Sequence, residues 1–306
     1  MKKTIRIGTR DSELALWQAH TVQKKLNDLG FLTEIIAVKS TGDLILDKPL
    51  YELGITGIFT KTLDVAMLKG EVDIAVHSMK DVPTALPKGI VQAAVLERAN
   101  SLDILVHKGN LDFLNSQGII ASGSLRRKAQ WLNKYPSHKV EDLRGNVNTR
   151  MQKLKDNKWN GAIFAAAGLE RINLKPSEYI DLNWMIPAPA QGAMLVVAME
   201  NDSFTQNALS NLNHKETEIC TYIERQFLRT LEGGCTAPIG ALATINKKQI
   251  NFEGVLFSLD GKQKFTIKKS CNFDSYIDFG HNCANEILQN GGKSLMEDLR
   301  KELKVK

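Results

Sequence analysis

The chain has 306 residues, enough for two or three domains with a core each, and its hydrophobic share of 43% and charged share of 24% are those of ordinary globular proteins. A net charge of +6 admits an anionic partner, but an aromatic share of 7% and discrete rather than striped basic residues argue against nucleic acid. No apolar run is long enough to span a membrane, Arg6 interrupts the basic start so that it reads as a strand and not a signal peptide, and four cysteines without a CxxC pair argue against a zinc ribbon or thioredoxin-type site.

In chain order, Thr4–Gly8 reads as a strand and Ser12–Leu29 as a helix, with Ser12 as N-cap, Ala15, Ala19, Val22, Leu26 and Leu29 at helical spacing, and Gly30 as the stop. Thr33–Val38 is the next strand. The polar, Gly-containing segment from Lys39 to Gly57 is a candidate lid, followed by a helix over Thr60–Lys69 and a strand over Val72–His77. Three strand–turn–helix units come next, with strands at Gly118–Ala121, Val140–Leu143 and Ala162–Ala166. Pro187-Ala188-Pro189-Ala190-Gln191-Gly192 breaks that pattern, and Ala193–Met199 reads as a strand returning to the first sheet. A helix over Lys215–Leu231 ends at a Gly-Gly-Cys turn. Ala241–Ile267 alternates like antiparallel strands, with Asp260-Gly261 as a hairpin signal, and helices near Ser275–Gln289 and Ser294–Leu303 close the chain.

The arginines are unevenly placed. Of eleven in the chain, five (Arg126, Arg127, Arg144, Arg150 and Arg171) fall in the three strand–turn–helix units. Each unit sets arginine beside a helix N-terminus at a strand's C-terminal end, where α/β sheets bind anions. With Gly8-Thr9-Arg10-Asp11-Ser12 as a fourth such turn, the pattern reads as a cleft for a polyanion, and the planar guanidinium fork suits carboxylates. Asp81, in Ala75-Val76-His77-Ser78-Met79-Lys80-Asp81-Val82-Pro83, would be a lone acid at a strand end in that cleft. A carboxylate among arginines stays charged and can steady a developing cation better than it can take a proton. Its bland alternative is a helix-capping aspartate, and His77 reads as a satisfied, partly buried histidine. Cys235, in Leu231-Glu232-Gly233-Gly234-Cys235-Thr236-Ala237-Pro238-Ile239-Gly240, is held on a paired-glycine turn and reads as an anchoring thiol, whereas Cys220 lies on a helical face as a small hydrophobe.

Taken in this order, Gly8–Gln18, Gly42-Asp43, Ala75–Pro83, Ser124-Leu125-Arg126-Arg127, Arg144-Gly145-Asn146-Val147, Ala167-Gly168-Leu169, Gln191-Gly192-Ala193 and Leu231–Gly240 closely resemble the hydroxymethylbilane synthase (porphobilinogen deaminase) family, nearly end to end. The resemblance implies an α/β fold of three domains: two periplasmic-binding-protein-like lobes with mixed sheets and hinge strands crossing twice, and a small C-terminal α+β domain. The corresponding boundaries are 1–95 with 191–212, then 96–190, then 213–306. It implies a dipyrromethane cofactor joined to Cys235 by a thioether, no metal, and porphobilinogen as substrate. The implied reaction is stepwise, ammonia-releasing addition of four porphobilinogens, then hydrolytic release of a linear tetrapyrrole. Carried over by position, Asp81 is the catalytic carboxylate, and Lys80, Ser78, Asp43, Ser122, Ser124, Arg126, Arg127, Arg144, Arg150 and Gly168 face the cofactor. Arg10, Ser12, Phe59, Arg144, Arg150, Arg171 and Gln191 face the substrate, Gln191 at the hinge.

Several positions depart from the family pattern: Glu52 and Thr56 stand where lid lysines are usual, Ala121, Asn148, Ala190 and Leu195 where glycine is usual, and Val197 where an acid is common. A two-lobed binding protein without turnover is the rival reading, but it needs neither Asp81 nor the Gly-Gly-Cys turn. The expected setting is a cytoplasmic monomer, free of nucleic acid and membrane.

Overall fold

In the computed structural model the described residues are 3–38, 57, 59–231 and 237–304. The candidate lid, with Asp43, Glu52 and Thr56, and the turn carrying Cys235 lie outside them.

The first lobe begins with β1 (Thr4–Thr9), α1 (Glu13–Asp28) and β2 (Leu32–Ala37), followed by α2 (Lys61–Leu68), β3 (Ile74–Ser78) and β4 (Ile90–Val95). Its fifth strand, β10 (Met194–Met199), arrives from much later in the chain and lies antiparallel between β3 and β4, in the order β2-β1-β3-β10-β4. The returning strand expected at Ala193–Met199 is therefore present. Strict alternation gives the sheet two cores. Ile5, Ile7, Val76 and Val196 pack with Ala19, Val22 and Leu26 of α1, while Ala75, Leu195 and Val197 pack with Leu63, Ala66 and Met67 of α2. Leu195 and Val197, two departures from the family pattern, are thus core side chains. Each large aliphatic group buried here contributes about 1.5–3 kcal/mol.

The second lobe repeats the plan with β5 (Asp103–His107), β6 (Ile119–Ala121), α3 (Leu125–Lys134), β7 (Lys139–Glu141), α4 (Val147–Asp156), β8 (Gly161–Ala165), α5 (Ala166–Glu170) and β9 (Tyr179–Asp181). Its sheet runs β7-β6-β8-β5-β9, with β6 parallel to β7 and β8, and β5 antiparallel to β8 and β9. Gly123, between β6 and α3, cannot be replaced without moving backbone, because a Cβ there would run into the Leu143 carbonyl.

After α6 (Ser203–Ser210), the third domain sets α7 (Lys215–Thr230), α8 (Phe279–Ile287) and α9 (Lys293–Lys304) over one face of the meander β11 (Ile239–Asn246), β12 (Gln249–Phe257) and β13 (Lys264–Asn272). Ile219, Ile223, Phe227 and Leu231, the stripe expected to point inward, form its core with Phe252, Ile250 and Ile287. Cys220 is buried beside them, which pushes its thiol up to about 12, and Cys283 is raised by burial to about 11.

The chain crosses between the lobes after β4 and again before β10. One carboxylate ties both crossings to the third domain. Glu224 of α7, fully buried, accepts hydrogen bonds from Arg98 Nη1 (2.6 Å) and Nη2 (3.1 Å) on the first crossing. It also accepts from the Ala190 N–H (2.7 Å) on the second crossing and the Ala243 N–H (2.7 Å) of β11. Ala190 holds φ 62 there, a left-handed conformation that explains why glycine is usual at this position.

Candidate active site

A cleft of about 1040 Å³, open mouth included, lies between the lobes. From the first lobe it receives the turn after β1 (Arg10, Ser12), the end of β3 (Ser78), and the 3₁₀ turn Met79–Asp81 with Lys80 and Asp81. From the second it receives Arg127, the turn into α4 (Arg144 through Asn148), Arg150 and Gly168. Each contribution leaves a strand's C-terminal end, as the strand–turn–helix spacing anticipates.

Ten of the expected site residues line this cleft: Arg10, Ser12, Phe59, Ser78, Lys80, Asp81, Arg127, Arg144, Arg150 and Gly168. Ser12 occupies the N-cap position of α1 but forms no capping bond through its side chain, which faces the cleft instead. The Arg10 guanidinium lies 4.5 Å from the centroid of the Phe59 ring, a cation–π contact that orients it. Ser78 Oγ accepts from Gln18 Nε2 at 2.8 Å. Across the mouth, Asn148 Nδ2 donates to Glu13 Oε2 at 2.8 Å, a bond between lobes that glycine at this position could not make.

Like charges crowd one another here. Burial, then the neighbouring charge of Arg127, brings Arg150 down to about 10 and Lys80 down to about 8, while Asp81 opposes both shifts. Shielded cations that depress one another's pKa values make a site that favours an anion with several charges.

The remaining expected contacts lie elsewhere, each for a definable reason. Asp103, at the start of β5, is fully buried and binds both central arginines. Arg126 Nη1 donates to Oδ2 (2.7 Å), and Arg127 Nε and Nη2 meet Oδ1 at 2.9 and 2.7 Å. Arg126 also donates to the Ile186 carbonyl (2.7 Å), so its fork is turned into the lobe and away from the cleft lining. Although burial alone would raise it, Arg126 and Arg127 hold the Asp103 carboxyl well below the usual carboxylate range. Ser124 caps α3 by accepting from the Arg127 N–H, and Ser122 Oγ accepts from the Ser124 N–H, so both shape the turn from outside the lining. Arg171 donates to the Gly192 carbonyl (2.7 Å) and lies over Trp17. Gln191, fully buried, accepts from Lys80 Nζ (3.0 Å) and donates to Asp103 Oδ1 (2.9 Å). Lys80, Gln191 and Asp103 thereby link the Met79–Asp81 turn of one lobe to the arginine pair of the other. The sequence carries no signal for Asp103, because an aspartate at the start of an apolar strand belongs to no motif.

His77 is buried as expected, but its Nε2 has no hydrogen-bond partner among the described residues. Burial, aided by the charge of Arg10, lowers its pKa from 6.5 to about 4. The unfolded chain therefore binds more protons between these values, and the stability that neutral His77 confers is present above pH 6.5 and lost as pH falls toward 4. The full loss is about 3 kcal/mol. Urea unfolding at pH 7 and pH 4.5 should show His77→Gln losing about 2 kcal/mol less than wild type over that span. Equal losses in the two proteins would remove His77 as the cause.

A family model for the porphobilinogen deaminase dipyromethane cofactor binding domain matches residues 5–207, and one for the porphobilinogen deaminase C-terminal domain matches 218–289. A porphobilinogen deaminase of Desulforamulus reducens is 41% identical, covering 98% of this chain and 99% of its own length. A chloroplastic porphobilinogen deaminase of Oryza sativa subsp. japonica is 40% identical over 97% of this chain and 86% of its own. Among solved structures, a periplasmic substrate-binding protein of an ABC transporter from Coxiella burnetii overlaps 68% of this chain and 91% of its own at TM-score 0.43 and 16% identity. That overlap is loose, and the architecture rests on the sheets themselves. Nearly every residue of the chain has a counterpart in the matched models and relatives, so the chain belongs to the porphobilinogen deaminase family.

Proposed function

We propose that this chain is a transferase that joins four porphobilinogen molecules with loss of four ammonia and, with one water, releases the linear tetrapyrrole hydroxymethylbilane. The observation that carries this reading is the cleft in which Arg10, Lys80, Arg127, Arg144 and Arg150 stand around Asp81, while Glu13, the other acid of the lining, is held by Asn148. Porphobilinogen brings an acetate and a propionate, so a growing oligomer multiplies carboxylates that only such a cation set can hold out of water.

The donor set also suits the dipyrromethane of the family, whose carboxylates would meet Arg144, Arg150 and Lys80, with Cys235 as the point of attachment. Bound there, the group supplies the pyrrole carbon to which the first substrate is added. The arginines orient substrate carboxylates and fix the reacting carbon near Asp81. The Asp81 carboxylate accepts a hydrogen bond from a pyrrole N–H and stabilises the positive charge that develops as ammonia departs. Lys80, fixed by Gln191, adds a cation beside it without occupying its oxygens. The domains assigned to these roles are 1–95 with 191–212, 96–190, and 213–306. The enzyme is proposed to work as a cytoplasmic monomer without nucleic acid, membrane or metal.

The test is intact mass of the purified chain. The expected mass exceeds that of the sequence by a two-pyrrole adduct, and Cys235→Ser removes both the adduct and all turnover. A wild-type chain of unmodified mass, binding carboxylated pyrroles without converting them, would favour a two-lobed binding protein instead.

A further inference from the structure

The cleft's acid rests on a turn that the third domain grips. Arg225 of α7 reaches into the first lobe and donates from Nη1 to the carbonyls of Val82 (2.9 Å) and Met79 (3.3 Å), and from Nη2 to the Pro83 carbonyl (2.6 Å). These oxygens flank Asp81 on both sides. One helical turn later, Arg229 Nη2 donates to the Thr84 carbonyl at 2.6 Å, extending the same grip.

The turn needs outside support. Met79–Asp81 is three residues of 3₁₀ helix, its N-cap Ser78 makes no capping bond, and Val82 already returns to extended backbone. Its own Val82 N–H to Met79 carbonyl bond, at 3.2 Å, lies at the far end of the ordinary range. A largely shielded guanidinium is a costly way to fill space, since an apolar side chain would pack there without losing hydration. What the guanidinium adds is a rigid planar fork that fixes several oxygens relative to one helix. That helix ends at Thr230, five residues before Cys235.

We propose that Arg225 is the positioning residue for Asp81. By holding the Met79, Val82 and Pro83 carbonyls, it sets where the carboxylate stands relative to the helix that ends five residues before Cys235. The inference rests on the reading of Asp81 as the catalytic carboxylate.

A kinetic double-mutant cycle tests it, each protein first checked by intact mass for its pyrrole adduct. Arg225→Met should keep the adduct and lower kcat about 30- to 100-fold with KM changed less than about twofold, the signature of a misplaced acid. Arg225→Lys, whose ammonium reaches fewer carbonyls, should recover part of the loss. In an Asp81→Asn background the methionine substitution should cost nothing further, because the group it positions is gone. Equal fold-losses in both backgrounds, or near-normal kcat in Arg225→Met, would overturn the positioning role while leaving Asp81 intact as the catalytic group. Near-normal turnover in Asp81→Asn alone would instead remove the reading on which the inference rests. If Arg225→Met does not fold, Arg225→Lys carries the same cycle with the same criteria.

Discussion

Asp81→Asn should reduce turnover about 100- to 1000-fold while the purified chain still carries its pyrrole adduct, because the amide keeps the shape of the acid and removes its charge. The cleft already holds five cations, and Asp81 is the acid whose field reaches both Lys80 and Arg150. Without it, positive charge developing as ammonia leaves would face the cleft's cations without their neighbouring carboxylate, and the barrier would rise by about 3–4 kcal/mol. Single-turnover measurement of ammonia release, with intact mass as the control for loading, separates this from a defect in assembly. Turnover within a few-fold of wild type would eliminate Asp81 from the chemistry.

Asp103→Ala should be the most destabilising single change near the site. It leaves Arg126 and Arg127 facing each other, 4% and 7% exposed, without the carboxylate that neutralises them. Removing one partner of such a buried network costs about 3–5 kcal/mol. For a lobe of this size that lowers the melting temperature by roughly 10 °C or more. Asp103→Asn, which can still accept from one guanidinium, should lose less. A melting temperature unchanged in Asp103→Ala would show that the two arginines find another anion, and that the pairing is dispensable.

Where the sequence spoke clearly, it did so through periodicity and glycine. The α1 stripe, the returning strand β10 and the Asp260-Gly261 turn were all legible, the last because Gly261 takes φ 75 between β12 and β13. The β11–β12 hairpin was not, since its turn is Lys247-Lys248 and Lys247 adopts φ 57 without a glycine or asparagine to announce it. Strand β5 has no clear sequence signal because it opens with a buried aspartate, which strand propensity disfavours and the arginine pair makes tolerable. The arginine-rich turns converge on one cleft, but spacing alone cannot say which way a guanidinium points. Arg127, Arg144 and Arg150 line the cleft, whereas Arg126 and Arg171 are spent on carbonyls and an internal carboxylate. Glu224, Arg98 and Arg225 give no signal at all, because the Glu224–Arg98 pair meets across 126 residues and Arg225 reaches the Val82 carbonyl across 143.

Glu224 touches both strands of chain that join the lobes, and it does so from one side chain of a third body. The two connectors therefore share a single clamp, through bonds to Arg98 on one and Ala190 on the other. A rotation that widened the cleft by bending both connectors would have to strain or break the bonds that this buried acid makes to each of them.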